Sequence, residues 1–164
     1  MNKLIMIAAV GKNGELGKDN DLIWHIKKDM KFFKEKTINH HILMGKNTFL
    51  SLPNLLKDRI HIVLTRSDYK FKEGVIVLKS IDEFEIIRKK IDDDIYVIGG
   101  AKVYSEFIDE ADMIYLTEID SKCDDADSFF PKIKYEDYDR EVLKEDNENG
   151  ISFKHVLYKK KDLQ

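Results

Sequence analysis

A chain of 164 residues is one domain's length, since compact domains centre on roughly 100–150 residues, and 43% apolar with 10% aromatic residues is enough for a core. Lys and Arg number 28 against 31 Asp and Glu, a net charge of -3 that excludes the strongly basic footprint of a general nucleic-acid binder. The one cysteine, Cys123, rules out an internal disulfide or a thiolate metal cluster and suits a reducing cytoplasm.

The opening MNKLIMIAAVGK superficially mimics a leader peptide, with a lysine, an apolar stretch and small Ala8 and Ala9. So short a run closed by glycine reads instead as a buried strand over residues 4–10. No stretch approaches the roughly 20 apolar residues of a membrane helix. Gly11, Gly14 and Gly17 follow in GxxGxxG spacing, which is not the GxGxxG dinucleotide fingerprint, and KDNDLIW after them is polar loop rather than helix. A loop this long so early in a compact domain reads as a functional lid over residues 11–23, anchored by Leu16, Leu22 and Ile23. The spacing then predicts a helix over 25–36, with Ile26, Met30 and Phe33 as an apolar stripe and Lys27, Lys28, Lys31 and Glu35 on the polar face.

Further strands are predicted at 41–44, 60–65, 75–78, 95–98 and 113–119, with two more at 138–143 and 153–159 separated by the turn-like DNENG. Helices are predicted between them at 46–52, 80–91 and 101–108, and Ser80 with Glu83 forms a capping box. The charge runs 92–94 and 159–161 read as a solvated turn and a solvated tail. No repeat or linker divides the chain, so residues 1–164 are read as one domain. Alternating strands and helices imply an α/β fold: one central, mostly parallel eight-stranded sheet, a C-terminal antiparallel hairpin at its edge, and about four flanking helices.

Three strand ends run into glycine, at GKNGELG, GKNT and GGAK, which places a ligand crevice at the carboxyl ends of the strands. In IYVIGGAKVY, Gly99 and Gly100 precede a helix whose free N–H groups, with Lys102, suit a phosphate; a tight turn needing glycine sterically is the alternative. MGKNT repeats the pattern with Gly45, Lys46 and Thr48, but His40 stands where a Walker loop needs glycine, so it is either a phosphate turn or an ordinary strand-to-helix turn. Arg66, in Thr65-Arg66-Ser67, either clamps a phosphate monoester or is a surface arginine. Asp29 falls between Phe32 and Phe33 around the helical wheel. A carboxylate among aromatics loses solvation, which raises its pKa toward neutrality; a boundary carboxylate paired with a lysine such as Lys28 is the other reading. Adjacent His40 and His41 face opposite ways on a strand and cannot chelate one metal together, and no HExxH, CxxC or GxSxG occurs, so no metal is expected.

These blocks together resemble one family, the dihydrofolate reductases of bacterial chromosomal type. The resemblance is ordered and nearly full-length: Ala8-Ala9, Leu16-Gly17, WHIKKD at 24–29, MGKNT at 44–48, Arg59, VIGGAKVY at 97–104, YLTEI at 115–119, and the Asp127 and FFP region. It implies hydride transfer from NADPH to C6 of dihydrofolate with protonation at N5, giving the tetrahydrofolate of one-carbon metabolism.

By that resemblance Asp29 binds the pterin 2-amino group and N3, Thr117 holds Asp29, and Trp24 holds a water near the ring. Ile7, Ala9, Met30, Phe33, Leu52 and Ile98 line the folate cleft, and Arg59 takes the α-carboxylate of the glutamate tail. Ala9, Leu16, Gly17 and Leu22 frame the nicotinamide. Gly45, Lys46, Thr48 and the run Ile98, Gly99, Gly100, Ala101, Lys102, Val103 and Tyr104 take the pyrophosphate side, and Leu64, Thr65 and Arg66 take the 2′-phosphate end. The resemblance further implies a cytoplasmic monomer, inhibition by methotrexate and trimethoprim, and no nucleic-acid or membrane partner. Departures are Ile23 before the tryptophan, Lys27 where the family has proline in WxLPxD, and Leu-Lys-Asp-Arg where LPGR is common. The rivals are an NADPH-dependent reductase of riboflavin biosynthesis, which shares the fold, and a non-catalytic nucleotide sensor. No chemistry is read from the DNENG hairpin or the KKKDLQ tail.

Overall fold

The computed structural model describes residues 2–162; Met1, and Leu163 and Gln164 at the end of the KKKDLQ tail, lie outside the described residues. In chain order the strands are β1 (Leu4–Val10), β2 (Glu15–Lys18), β3 (Asp21–Leu22), β4 (His41–Gly45), β5 (Ile60–Leu64), β6 (Ile76–Leu78), β7 (Ile95–Gly99), β8 (Met113–Ile119), β9 (Ser128–Phe129), β10 (Tyr138–Glu148) and β11 (Ile151–Lys160). The helices are α1 (Lys27–Thr37), α2 (Lys46–Ser51), α3 (Ile81–Arg88) and α4 (Ala101–Phe107).

Eight strands form the main sheet in the order β10-β11-β8-β1-β7-β4-β5-β6. The pairs from β8 to β6 are parallel, and β11 runs antiparallel to both β8 and β10. Near-continuous apolar runs in the central strands fit a sheet covered on both faces. On one face Ile5, Ile7, Ile42, Met44, Val63 and Tyr96 pack with Phe49 of α2 and with Phe32 and Phe33 of α1. On the other, Leu4, Met6, Leu43, Ile62 and Val97 pack against Phe84 of α3 and Phe107 of α4.

The predicted fold class holds, and several details change. The stretch over 11–23 is not free loop: it carries β2 and β3, which join β9 in a small second sheet. Strands of two to four residues show no period, so only their pairing reveals them. Glu15, buried by this arrangement, accepts from the Asn13 and Cys123 backbone N–H groups and ties the stretch to the 120–123 segment.

Helix α1 starts at Lys27 rather than residue 25, because Ile26 is extended and buried. Ile26 offers no capping side chain. Glu148 of β10 does the work instead, accepting from the N–H groups of Lys27 at 2.8 Å and Lys28 at 3.0 Å. The hairpin turn narrows from DNENG to Asn149-Gly150, both at positive φ as a two-residue hairpin turn requires, so Asp146–Glu148 extend β10.

The charge runs are less solvated than expected. Asp93 accepts from His40 Nδ1 at 2.6 Å and from His41 Nδ1 at 2.8 Å, so the two histidines converge on one carboxylate. His40 precedes the strand, so strand alternation does not govern it. Lys159 and Lys160 belong to β11, and Lys160 Nζ donates to the Asp109 carbonyl.

Candidate active site

Asp29 sits in the first turn of α1 and aims at the sheet. Thr117 Oγ1, on the central strand β8, lies 2.6 Å from Asp29 Oδ1 and donates to it. Burial pushes the Asp29 carboxyl above its ordinary value, and the Thr117 hydrogen bond opposes that rise without cancelling it. The lysine-paired alternative for Asp29 does not occur: Lys28 turns outward to Asp146 of β10 at 2.9 Å.

The inner face of α1 differs from the predicted stripe. Phe32 and Phe33 pack on the sheet, whereas Met30 is 56% exposed. The helix axis fans its residues so that Asp29, Phe33 and Thr37 share the inner side at i, i+4 and i+8. At the far end of that side stands Arg59: its Nε donates to Thr37 Oγ1 at 3.2 Å and an Nη to the Lys57 carbonyl at 2.9 Å. Partial burial lowers the pKa of the guanidinium, which stays charged. Asp29 and the Arg59 anchor are eight residues apart along the helix, about 12 Å at 1.5 Å per residue.

The changed route into Arg59 is held locally. Leu56 N–H donates to Nε2 of the buried His61 at 3.0 Å, Asp58 adopts the left-handed region, and its carbonyl accepts from Asn39 N–H at 2.7 Å. His61 is a supporting residue that the sequence reading did not single out.

Ile7, Leu52, Ile98 and Phe33 belong to one cluster on the α1 side of the sheet. Ala9 is the register partner of Thr117. Trp24 packs with Ala9 and Ile26 and presses on Gly11, where a Cβ would meet its ring at 2.5 Å. Leu22 is half exposed and pairs with Gly17 across β2 and β3, while Leu16 packs toward the α4 side.

The second group gathers at the carboxyl ends of β4 and β7, which are neighbours. A Cβ on Gly100 would lie 3.4 Å from Thr48 Oγ1, and one on Gly45 would lie 3.3 Å from Val103 Cγ2, so the GKNT and GGAK turns stand side by side. The Gly99–Gly100 peptide is cis, and Gly99 has φ +122 against the Tyr104 ring, a conformation that favours glycine. Lys46 Nζ reaches Ser67 Oγ at 3.2 Å, which joins the GKNT turn to the Leu64, Thr65 and Arg66 segment. Arg66 and Lys102 are exposed. Val103 and Tyr104 place their side chains in the core, where Tyr104 Oη donates to the Ile7 carbonyl at 2.7 Å and burial pushes its phenol far up. This cradle of glycine backbone, one hydroxyl and two cations at the 46 and 66 positions has the chemistry to hold a phosphorylated nucleotide.

Sequence reasoning passed over His155. It lies on β11 opposite Thr117, with Nδ1 2.9 Å from the Thr117 hydroxyl. Nothing in SFKHVLY marks it out; only the β8–β11 register does.

A desolvated carboxylate and two adjacent glycine turns at the strand ends, on a sheet covered on both faces, define an α/β protein with a ligand crevice and a candidate catalytic group. Comparison with known proteins narrows this class. The family model for dihydrofolate reductase matches residues 3–160. The dihydrofolate reductase of Haemophilus influenzae is 31% identical over 159 residues, covering 95% of this chain and 98% of the relative. That of Bacillus subtilis is 32% identical over 160 residues, covering 95% and 94%. A solved structure, the Enterococcus faecalis dihydrofolate reductase complexed with NADP(H) and RAB-propyl, superposes with a TM-score of 0.88 at 32% identity, covering 98% of this chain and 97% of that one. The chain belongs to the dihydrofolate reductase family.

Proposed function

We infer that this chain reduces dihydrofolate to tetrahydrofolate with NADPH, for one-carbon metabolism. The observation that carries the reading is one helix face with a desolvated carboxylate, Asp29, at one end and, at the other, Thr37 anchoring the guanidinium of Arg59 from the segment before β5. A flat amidine-bearing ring with a carboxylate tail about 12 Å away matches both ends of that face. The riboflavin-pathway alternative has no use for this second, tail-end cation.

Asp29 accepts from the pterin 2-amino group and N3–H and fixes the ring plane, with Thr117 keeping the carboxylate aimed. Its negative charge in a desolvated site raises the proton affinity of the ring, which assists protonation at N5. Trp24, packed over Gly11, closes the water side of the site. Ile7, Ala9, Met30, Phe33, Leu52 and Ile98 grip the ring and the benzoyl group, and Arg59 forms a bidentate pair with the α-carboxylate.

NADPH fits the second group: Lys46, Thr48 and the Gly99–Gly100 turn suit its pyrophosphate, Thr65, Arg66 and Lys46 suit its 2′-phosphate, and Leu16, Gly17 and Leu22 suit the nicotinamide edge. When bound, it supplies the hydride for pterin C6. The protein's part is to hold the two rings together and exclude water, so orientation carries much of the rate. The same reading carries a monomeric chain, a cytoplasmic setting that suits the single cysteine, and inhibition by methotrexate and trimethoprim at the carboxylate proposed to bind the ring.

The test is spectrophotometric. Purified protein with NADPH and dihydrofolate is expected to lose the reduced-nicotinamide absorbance, and methotrexate is expected to stop the loss. Intact NADPH binding with no turnover of dihydrofolate would overturn the reading.

A further inference from the structure

We propose that His155 is a positioning residue for the reaction: its Nδ1–H donates to Thr117 Oγ1, which commits the single hydroxyl proton of Thr117 to Asp29 and so sets how readily that carboxylate ionises. The proposal deepens the proposed function and rests on it for its kinetic readout only.

With Asp29 ionised, the geometry leaves one consistent pattern of protons. Thr117 Oγ1 is 2.6 Å from Asp29 Oδ1 and 2.9 Å from His155 Nδ1. A hydroxyl donates once; with its proton on the carboxylate, it must accept from the imidazole, which is then protonated at Nδ1. A three-member chain results, running from β11 through β8 to α1. Each bond polarises the next, so donation by His155 strengthens the Thr117 hydrogen bond to ionised Asp29.

The imidazole is held where it can do little else. Its ring stacks on Phe32 at 4.0 Å with 6° between planes and meets the Phe153 ring edge-on at 5.4 Å. Its side chain is 5% exposed. The groups facing it are Asp29 and Lys36 from α1, Thr117 from β8, and Lys144 and Asp146 from β10, with Lys144 its direct register partner. Burial, Lys144 and Lys36 push the imidazole pKa down and Asp146 pulls it up, with the fall prevailing. At neutral pH His155 therefore acts as a neutral donor, although its Nδ1 is only 3.8 Å from Asp29 Oδ1.

The experiment follows the Asp29 carboxyl carbon by 13C NMR as pH is varied, in the wild-type protein, in His155→Phe, which keeps the stack and removes the donor, and in His155→Asn, which restores a donor near the Nδ1 position. The expected result is an Asp29 midpoint raised by about half a pH unit in His155→Phe and returned most of the way in His155→Asn. Unchanged midpoints in both folded variants would overturn the proposal. Should His155→Phe not fold, 15N NMR of the wild-type imidazole decides: the Nδ1–H tautomer supports the proposal and the Nε2–H tautomer overturns it. In single-turnover reduction of dihydrofolate, the pH of half-maximal rate is expected to move with the Asp29 midpoint. A packing role alone lowers the plateau and leaves that pH where it was. If the wild-type protein fails to reduce dihydrofolate, the functional reading falls, and the carboxyl titration still judges His155 on its own.

Discussion

Asp29 concentrates the chemistry of this site because it is the carboxylate that the fold desolvates against the sheet while denying it a lysine. Its folded pKa is raised. Such a group contributes stability below its unfolded pKa and loses it as pH rises through the folded value, so ionised Asp29 costs stability at neutral pH. Asp29→Asn is therefore expected to lower turnover by about 10²- to 10⁴-fold while making the free protein more resistant to urea at pH 7. That resistance should shrink in denaturation curves taken below the usual carboxylate range. Arg59 belongs to the other end of the helix, held by Thr37 and the Lys57 carbonyl with guanidinium nitrogen to spare. Arg59→Leu is expected to raise the KM for dihydrofolate by about 10- to 100-fold, the worth of a charge-assisted pair. Titration of NADPH by fluorescence should give the same Kd as the wild type, and an equal loss there would move Arg59 to the nucleotide side.

At the scale of elements, α1 is a helix whose start is supplied from elsewhere. Its N-cap residue, Ile26, is apolar and buried, and Glu148 from the C-terminal hairpin accepts from two of the helix's first N–H groups. Asp29 is two residues past Lys27 and inherits its position from that clamp. Glu148→Ala is expected to cost about 1 kcal/mol in urea denaturation, the usual worth of a lost cap with its charge at a helix start. It should also raise the KM for dihydrofolate, since α1 carries the carboxylate proposed to bind the ring. The hairpin, read in the sequence as chemically silent, thus serves the site twice, through Glu148 and through His155. The 11–23 stretch is anchored in the same manner, by β9 pairing and by the buried Glu15, so the polar sequence that reads as loop has a fixed base.

At the scale of the whole molecule, the two proposed ligand regions meet at the carboxyl edge of one sheet, the folate region running on toward Arg59 at the amino end of β5, and each ligand should stabilise the fold by mass action. NADPH at 100 times its Kd is expected to raise the unfolding free energy by about 2.7 kcal/mol. NADH at the same concentration should stabilise less, because it lacks the phosphate that Lys46, Thr65 and Arg66 suit. Arg66→Ala should narrow the difference between the two nucleotides in thermal unfolding scans; a difference that stays whole in both Arg66→Ala and Lys46→Ala would place the phosphate elsewhere. Among the described residues no helix is long and apolar enough to cross a membrane.

The central strands, the Ser80 cap and the strand ends that carry glycine were legible in the sequence by itself, since burial on both faces imposes apolar runs and a turn against a neighbour imposes glycine. Asp29 was legible as well, because a carboxylate flanked by Phe32 and Phe33 stands out on any helical wheel. The tertiary structure alone decided the rest: that Lys28 leaves Asp29 for Asp146, that His40 and His41 share Asp93, that Glu148 caps α1, and that His155 backs Thr117. Each of these joins groups more than 35 residues apart in the chain. Local periodicity reports which face of an element is apolar; it carries no information about which polar group another element will bring against it.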